Sequence, residues 1–428
     1  MRTIFSKTLE NTNAWKHKLL LWSQKFTHVI CLDSNEYPQE TSEFDFLIAV
    51  GSHSEIKITN DLEQLKTYQT LTKDWLFGYL SYDLKNNIEN LESKNFDGLD
   101  FPDVFFFQPK KIFFIKGNSL EVSYLSSYES EIEADLKTIG EMDSSLGTPK
   151  QDPIKIKLRI HKDDYFKKVA RLLEHIHIGD VYEINFCQEF YSEETQIAPV
   201  ETYFKLNEIS KPPFAAFLKL DDSYLLSASP ERYLKKSGSK VSSQPIKGTA
   251  KRAANEVDDM LLKEALANDM KEQSENIMIV DLVRNDLSRV ALKGSVKVDE
   301  LCKVYTFEQV HQLISTITCE VETKIHPVDI IRATFPMGSM TGAPKISAMK
   351  LIETYEETKR GLYSGAVGYF TPNGDFDFNV VIRSILYNEK NKYVSYSVGG
   401  AITAKSDPVK EYEECLVKAK AMREVLEG

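Results

Sequence analysis

Two pairs of glutamates have a spacing that suits metal chemistry. Glu272 and Glu275 lie three residues apart in one helical stretch, and Glu411 and Glu414 repeat that spacing in another. Residues three apart share one face of a helix, so two such helices side by side would present four carboxylates together. Mg²⁺ is usually held by a few carboxylates plus substrate oxygens, which makes these glutamates a candidate magnesium site. Judged by spacing alone, such glutamate pairs more commonly lie on the solvent-exposed faces of two charged helices than in a metal site.

A predicted β-hairpin brings an acid close to an amine. A turn centred near Gly238 makes Glu231 and Lys247 diagonal neighbours on one face of the ribbon, about 7–8 Å apart at the backbone. A register slip of one residue would send them to opposite faces. Lys247 stands between Ile246 and Gly248 in an apolar strand, and burial there would lower the pKa of its amine and make it a candidate nucleophile. A solvated lysine at a strand end is the plainer interpretation.

Two segments are candidates for holding an anion. The stretch 338–345 reads GSMTGAPK before a predicted helix, where backbone N–H groups can hold a carboxylate or phosphate. It does not match a P-loop, and its glycines also suit a loop that needs their backbone freedom. Arg383 lies among apolar residues of a predicted strand and needs either a salt bridge or an anionic ligand. The next hairpin brings it near residues 397–399, beside glycines that leave the backbone open to a ligand.

The sequence leaves the roles of Lys418 and His311 open. Lys418 lies one turn beyond Glu414, so it either joins the acidic site or makes a simple ion pair along the helix. His311, in the stretch VHQLISTI, is either an acid–base group or a histidine of the core or of an interface. The second role is the commoner one for such a residue.

The secondary-structure elements that must position these residues indicate an α+β fold. Antiparallel hairpins and helices are mixed without regular βαβ alternation. Residues 1–130 contain short apolar runs typical of strands in a buried sheet. The stretch 128–153 indicates a surface connection, which divides the chain into an N-terminal sheet region (1–150) and a second region (151–428). Within the second region, one long charged helix is predicted over about residues 255–284.

Composition excludes several classes of protein. The 428 residues are 42% hydrophobic and 27% charged, and the net charge of −11 argues against general affinity for nucleic acid or an anionic membrane. Five cysteines without a C-x-x-C pair argue against a disulfide framework or a zinc site and fit a reducing cytoplasm. The N-terminal stretch has no apolar run suited to a signal peptide or membrane span. We therefore expect a cytoplasmic protein.

Taken in order, several motifs resemble those of the chorismate-utilising enzymes, which include anthranilate, aminodeoxychorismate, isochorismate and salicylate synthases. They span about residues 160–426 and are SASPERY, QPIKGTAKR, EQSENIMIVDLVRNDLSRV, HQLISTI, FPMGSMTGAPK, GLYSGAVGYF, VVIRSI and EYEECLVKAKAM. The resemblance implies a four-layer α/β/β/α sandwich with two packed antiparallel sheets. It implies that Glu275 and Glu414 bind Mg²⁺ directly and that Glu272 and Glu411 act through water, with Glu231 as the acid–base residue. The chorismate-binding set it implies is Ser339, Tyr369, Arg383, Gly399, Gly400 and Lys418.

The lysine in PIKGT is the feature that separates the branches of this family. Anthranilate and isochorismate relatives typically carry alanine where this chain has Lys247, and Glu183 stands where isochorismate and salicylate synthases usually place a general-base lysine. The resemblance therefore implies the aminodeoxychorismate branch. In that branch Lys247 attacks C2 of chorismate, the C4 hydroxyl leaves, and ammonia then attacks C4 and expels the lysine. Covalent catalysis of this kind divides one difficult substitution into two easier ones.

The chain also departs from the family pattern. Gln312 stands where the family often has histidine, and Ala401 follows Gly399 and Gly400 where Gly-x-Gly is common. No glutaminase signature is visible, so ammonia is expected from a separate glutamine amidotransferase subunit or from solution. The alternatives are anthranilate synthase component I and a non-catalytic chorismate-binding protein.

Overall fold

The computed structural model describes residues 1–37, 44–59, 61–143, 154–308 and 310–428. The strands of the first region are β1 (Arg2–Thr8), β2 (His28–Asp33), β3 (Phe46–Ile58), β4 (Leu76–Leu80), β5 (Val104–Lys116) and β6 (Ser119–Leu125). Those of the second region begin with β7 (Lys157–Leu158), β8 (Glu183–Ser192), β9 (Phe214–Leu220), β10 (Ser223–Ser229), β11 (Arg232–Ser237), β12 (Lys240–Gln244) and β13 (Ile246–Lys251). They continue with β14 (Lys297–Thr306), β15 (Val310–Glu320), β16 (Gly342–Ala343), β17 (Ala366–Phe370), β18 (Phe376–Val380), β19 (Ser384–Asn388) and β20 (Tyr393–Thr403).

Helices flank these strands in both regions of the chain. The first six are α1 (Thr12–Ser23), α2 (Leu62–Thr72), α3 (Lys85–Glu89), α4 (Ile132–Glu141), α5 (Lys162–Ile178) and α6 (Pro199–Ser210). The others are α7 (Glu256–Ala267), α8 (Met270–Ser288), α9 (Pro327–Thr334), α10 (Lys345–Tyr355) and α11 (Pro408–Glu427). No helix in the described part of the chain combines the length and the apolar character needed to cross a membrane.

The strands form two antiparallel sheets that share one long strand. The first sheet runs in the order β1-β6-β5-β3-β2-β9-β10-β19-β20-β8, and the second runs β5-β4-β17-β18-β11-β12-β15-β14. Residues 111–116 of β5 pair with β6, whereas residues 104–107 pair with β4. Because β2 pairs with β9 and β4 with β17, strands of the first region lie beside strands of the second. The predicted boundary near residue 150 lies outside the described residues.

Two cores explain the layering. Side chains alternate between the faces of a strand, so Ile30 of β2 joins the core between the sheets while Val29 joins the core under the outer helices. Helices α5, α6 and α11 pack on the first sheet, and α8 and α9 cover the second. Full burial of a side chain such as Phe106 contributes about 1.5–3 kcal/mol. The arrangement confirms the predicted α+β class with helical outer layers.

The long charged helix predicted over residues 255–284 is two helices. Helix α7 ends at Ala267, and Asp269 begins α8 by accepting hydrogen bonds from the backbone N–H groups of Lys271 and Glu272. Aspartate is a strong helix N-cap, but the helical pattern of apolar residues continues across the break and conceals it. The break places Glu272 in the first turn of α8, where the helix dipole favours negative charge.

Candidate active site

The two acidic pairs come together between α8 and α11. The ammonium of Lys271 lies 3.6 Å from Glu275 Oε1 and 3.9 Å from Glu411 Oε1, so it bridges the two helices. Glu411 is 3% exposed. The solvated-face interpretation therefore does not hold for this residue, and the carboxylates of both pairs lie in one cluster with a lysine between them.

The carboxylates of this cluster repel one another, and the repulsion shifts their pKa values. Burial raises the pKa of Glu272, and the neighbouring carboxylates of Glu275 and Glu414 raise it further. Burial also raises the pKa of Glu411, with Glu414 adding to the effect. Burial opposes ionisation of Glu414 as well, yet the ammonium of Lys418, 2.6 Å away, lowers its pKa. A cation among these carboxylates would relieve their mutual repulsion, as the Lys271 and Lys418 ammonium groups already do in part.

These donors fit a hard divalent cation. All four are carboxylates, and Oε1 of Glu275 is buried without a hydrogen-bond donor among the described residues. Within the same described ranges, no three His, Cys, Asp or Glu side chains already lie close enough to form a finished metal site. A divalent cation between the two helices would take the place of the Lys271 ammonium, which lies between Glu275 and Glu411.

The predicted hairpin exists, but it ends before Lys247. Gly238 turns with φ of 60°, but next to the turn Ser237 pairs with Lys240, one residue off the predicted register. An irregularity between Arg232 and Lys235 restores that register, so Arg232 of β11 pairs with Gln244 of β12. Beyond Pro245 the chain leaves β11, and β13 pairs with β15 instead. Glu231 and Lys247 remain close enough for the lysine charge to act on the pKa of the acid.

Glu231 has the properties of an acid that works near neutral pH. It is 5% exposed, and Ser339 Oγ donates a 2.6 Å hydrogen bond to its Oε1. Burial raises the pKa of Glu231 to about 7, although the Ser339 hydrogen bond and the Lys247 charge oppose the shift. Ser339 itself lies in the short turn of residues 338–340 before β16.

Lys247 is enclosed, but its pKa moves opposite to the predicted direction. Burial disfavours the ammonium, as expected, yet the carboxylates of Glu183, Glu275 and Glu231 outweigh that effect and raise the pKa of Lys247. The nearest of them is Glu183, whose Oε1 lies 3.7 Å from Lys247 Nζ. The apolar strand pattern predicts burial correctly, but it carries no information on carboxylates that other strands and helices bring in. The amine must therefore lose a proton before it can act as a nucleophile.

Arg383 has the environment of an anion-binding residue. The predicted strand is interrupted between β18 and β19, where Arg383 adopts a left-handed backbone with φ of 52°. Its carbonyl accepts a 3.1 Å hydrogen bond from the Ala228 N–H, which holds the interruption in place. Its guanidinium has no hydrogen bond or ion pair to another described residue, and burial lowers its pKa. A partly buried cation without a protein partner among the described residues is suited to a carboxylate ligand.

The glycines of β20 line the same region. A Cβ at Gly399 would lie 2.4 Å from the carbonyl oxygen of Phe186 on β8, so only glycine fits there. A Cβ at Gly400 would lie 3.3 Å from Glu411 Oε2 and 3.9 Å from Lys418 Nζ, so this glycine faces the acidic cluster. Lys418 Nζ donates to the Gly399 carbonyl at 2.8 Å. Lys418 thus both pairs with its helix neighbour and joins the site.

Tyr369 is the one predicted site residue that the structure does not bring to this group. It lies opposite Asp377 in the second sheet, and its ring packs against Trp75 and Phe77. Tyr363, six residues earlier in the same motif, lies close enough to Arg383 to act on the pKa of its guanidinium, and the Tyr363 hydroxyl donates to Cys187 Sγ at 3.5 Å. The motif GLYSGAVGYF contains two tyrosines, and the sequence offered no means of choosing between them.

His311 serves an interface between elements. It is 1% exposed, and its Nε2 lies 3.0 Å from Asp259 Oδ1 on α7, while its Nδ1 lies 3.0 Å from Thr306 Oγ1. The same Asp259 carboxylate accepts two hydrogen bonds from Arg252. These contacts tie α7 to β13, β14 and β15, as expected for an interface histidine rather than an acid–base group.

Sequence reasoning gave no role to three residues of the site. Lys271 directly precedes the first acidic pair, Tyr363 lies within a quoted motif, and Glu183 was noted only as a departure from other branches. Each was visible as a residue type, but their proximity to Glu275, Arg383 and Lys247 follows from the packing of separate elements.

Comparisons with known proteins show which enzymes this chain is similar to. An aminodeoxychorismate synthase from Streptomyces griseus is 43% identical over 274 residues, which cover 64% of this chain and 37% of that protein. Aminodeoxychorismate synthase component 1 of Escherichia coli strain K12 is 39% identical over 266 residues, covering 62% of this chain and 58% of that one. The match thus spans less than two thirds of either relative. The crystal structure of anthranilate synthase component I from Streptococcus pneumoniae superposes with a TM-score of 0.77 at 26% identity, covering 90% of this chain and 93% of that one.

One family description covers nearly the whole molecule. A family model described as chorismate binding enzyme matches residues 14–424, which include every strand except β1 and every residue of the site built above. The chain belongs to the family of chorismate-binding enzymes.

Proposed function

We propose that this chain is an aminodeoxychorismate synthase component, which converts chorismate and ammonia to 4-amino-4-deoxychorismate on the route to 4-aminobenzoate and folate. The observation that carries the proposal is the enclosed amine of Lys247, which has carboxylates around it and the acid Glu231 nearby. A small apolar residue at this position would leave ring C2 to water or ammonia. The names of the Streptomyces griseus and Escherichia coli relatives support the same branch.

Substrate binding would use the unpaired cation and the glycine strand. Arg383 would hold a chorismate carboxylate, because its guanidinium lacks a partner among the described residues. The backbone near Gly399 and Gly400 would lie against the substrate, since no side chain intervenes there. Mg²⁺ bound by Glu275 and Glu414, with Glu272 and Glu411 acting through water, would supply Lewis-acid stabilisation to a substrate carboxylate.

The first covalent step uses Lys247 and Glu231. The neutral amine attacks C2 of the ring, both ring double bonds shift, and the C4–O bond breaks. Glu231, protonated at neutral pH by its raised pKa, donates the proton with which the hydroxyl leaves as water. The result is a lysine–ring adduct with its nitrogen bonded to C2.

The second step reverses the electron shift. Ammonia attacks C4, the double bonds return, and the C2–N bond breaks with its electron pair returning to Lys247. Glu231 recovers a proton from the new ammonium group. The ammonia would come from a separate glutamine amidotransferase subunit in the cytoplasm, in keeping with the designation component 1 of the Escherichia coli relative.

The test is product identification with a matched lysine control. The purified chain is incubated with chorismate, Mg²⁺ and an ammonium salt, followed by an aminodeoxychorismate lyase and chromatography. We expect 4-aminobenzoate from the wild type and from Lys251→Ala, which changes an exposed lysine of the same strand. Lys247→Ala is expected to lose at least about 1,000-fold in turnover, because the nucleophile is gone.

Other products would redirect the assignment. Anthranilate from the wild type would favour anthranilate synthase component I, to which the Streptococcus pneumoniae structure is similar. Failure of every form, with Mg²⁺, ammonia and an amidotransferase subunit present, would favour a non-catalytic chorismate-binding protein.

A further inference from the structure

Glu183 is a buried carboxylate that takes no part in the mechanism proposed above. It is the first residue of β8, is 1% exposed, and pairs with Ala343 of β16 on one side and Thr403 of β20 on the other. A Cβ at Gly342 would lie 2.2 Å from the Glu183 carbonyl oxygen, so the two backbones are in direct contact. The position of the Glu183 backbone is therefore set by two neighbouring strands.

Its side chain is aimed at Lys247 and is incompletely satisfied. Oε1 lies 3.7 Å from Lys247 Nζ, while Oε2 is buried without a hydrogen-bond partner in the described ranges. The charges that act on it are the ammonium of Lys247 and the carboxylate of Glu275. A buried carboxylate with an unpaired oxygen is costly to keep, because burial removes the hydrogen bonds that water would otherwise donate to it.

The proposed attack by Lys247 needs a nearby carboxylate that can accept a proton from its ammonium group. The ammonium of Lys247 must give up a proton before it attacks, and the acceptor must lie close to it. Glu231 is bonded to Ser339 and is the acid for the departing hydroxyl, so it cannot accept at the same time. Glu275 and Glu414 are the candidate metal ligands. Among the carboxylates that act on Lys247, Glu183 alone is both adjacent and uncommitted.

We propose that Glu183 positions the Lys247 amine and accepts its proton as that amine attacks C2 of chorismate. One N–H bond of the ammonium breaks, the proton moves to a Glu183 oxygen, and the freed electron pair forms the N–C2 bond. When ammonia later expels the lysine, the departing nitrogen takes the same proton back. No other reactant is needed, and the inference rests on the proposed function, because it requires the lysine adduct.

The test compares two glutamates of the same strand. Glu183→Gln keeps the shape of the side chain but cannot accept the proton. Glu189→Gln is the control, because Glu189 is equally buried on β8 but pairs with Arg159 at 3.1 Å, away from Lys247. Adduct formation is followed by intact-protein mass spectrometry after mixing with chorismate and Mg²⁺ without ammonia, and kcat and KM for chorismate are measured with ammonium salt.

We expect Glu183→Gln to slow adduct formation and kcat by at least about 100-fold while KM for chorismate changes less than about threefold. The control is expected to form the adduct within about threefold of the wild-type rate. Glu183→Asp, which keeps the charge on a shorter side chain, is expected to recover part of the rate.

An adduct rate in folded Glu183→Gln within about threefold of wild type would overturn the inference and leave the proposed function standing. If Glu183→Gln does not fold, Glu183→Asp decides instead: about tenfold slower adduct formation with unchanged KM supports the role, and an unchanged rate overturns it. A wild type that forms neither adduct nor aminodeoxychorismate would contradict the proposed function itself.

Discussion

Two arginines in this fold, Arg360 and Arg383, behave in opposite ways. Arg360 is 5% exposed, donates two hydrogen bonds to the Glu356 carboxylate at 2.9 and 2.7 Å, and donates two more to the carbonyls of Met340 and Asn185. Arg383 makes no such contact within the described residues. The Arg360 guanidinium is buried and compensated by the protein itself, whereas Arg383 is partly exposed and has no partner among the described residues.

The difference separates structure from function in this molecule. A buried charge with a full set of partners holds elements together, whereas one left without partners is retained for a ligand or a reaction. Lys345, paired with Asp286 at 2.6 Å and with two carbonyls, belongs to the first kind. The second kind comprises Lys247, Glu183 and Glu275. The contact between Lys247 and Glu183 is long, at 3.7 Å, and Glu183 Oε2 and Glu275 Oε1 have no hydrogen-bond partner among the described residues.

The largest expected effect tests the arginines directly. Arg360→Ala should lower the free energy of unfolding by about 3–5 kcal/mol, because Glu356 would remain buried without its counter-charge. Arg383→Ala should change it by less than about 1 kcal/mol, yet weaken chorismate binding by about 100-fold. Urea unfolding and chorismate titration of both variants measure the two quantities. Equal losses of stability would remove the distinction.

Glu231 should show activity and stability moving in opposite directions. Glu231→Gln should lower turnover by about 100- to 10,000-fold, because the acid is lost. The wild-type carboxyl has a pKa raised to about 7, so its contribution to stability is complete below its ordinary range and is lost as pH rises through about 7. Above that pH, Glu231→Gln should be the more stable protein by up to about 3 kcal/mol.

The pH dependence of turnover gives a related check on the same group. With Glu231 as the acid, kcat of the wild type should fall as pH rises above about 7. Thermal unfolding at two pH values and a pH–rate profile test both statements. A flat profile through this range would argue that another group protonates the leaving hydroxyl.

Lys271 should compete with the metal. Its ammonium lies between Glu275 and Glu411, so Lys271→Gln should tighten Mg²⁺ binding by about tenfold and destabilise the metal-free protein. Calorimetric titration of Mg²⁺ and melting in a chelator measure the two effects, with Lys263→Gln on the exposed face of α7 as the control. Weaker Mg²⁺ binding would instead make Lys271 a supporting residue of the site.

The smallest effect belongs to a fully partnered histidine. His311→Gln should lower the melting temperature by about 1–3 °C through loosening of α7, while kcat stays within about threefold. Differential scanning calorimetry and steady-state kinetics suffice. A large loss of kcat with unchanged melting would return His311 to the catalytic group.

Much of the fold was accessible from local patterns. The α+β class and the turn near Gly238 were predicted correctly, because apolar periodicity and turn residues are local signals. The break before α8 and the interruption at Arg383 were not predicted. Each depends on a cap or a backbone angle that the apolar pattern does not carry.

The site divides in the same way. The sequence by itself determined which chemistry is present: the spacing of two glutamate pairs, a lysine in PIKGT, and a family resemblance that the match over residues 14–424 confirms. Only the tertiary structure decided which of these residues lie close to one another. It brought Tyr363 closer to Arg383 than the sequence indicated, placed Lys271 among the glutamates, and reversed the predicted direction of the pKa shift of Lys247. The physical reason is that charges interact through space, across residues far apart in the chain, and residue spacing records only neighbours within one element.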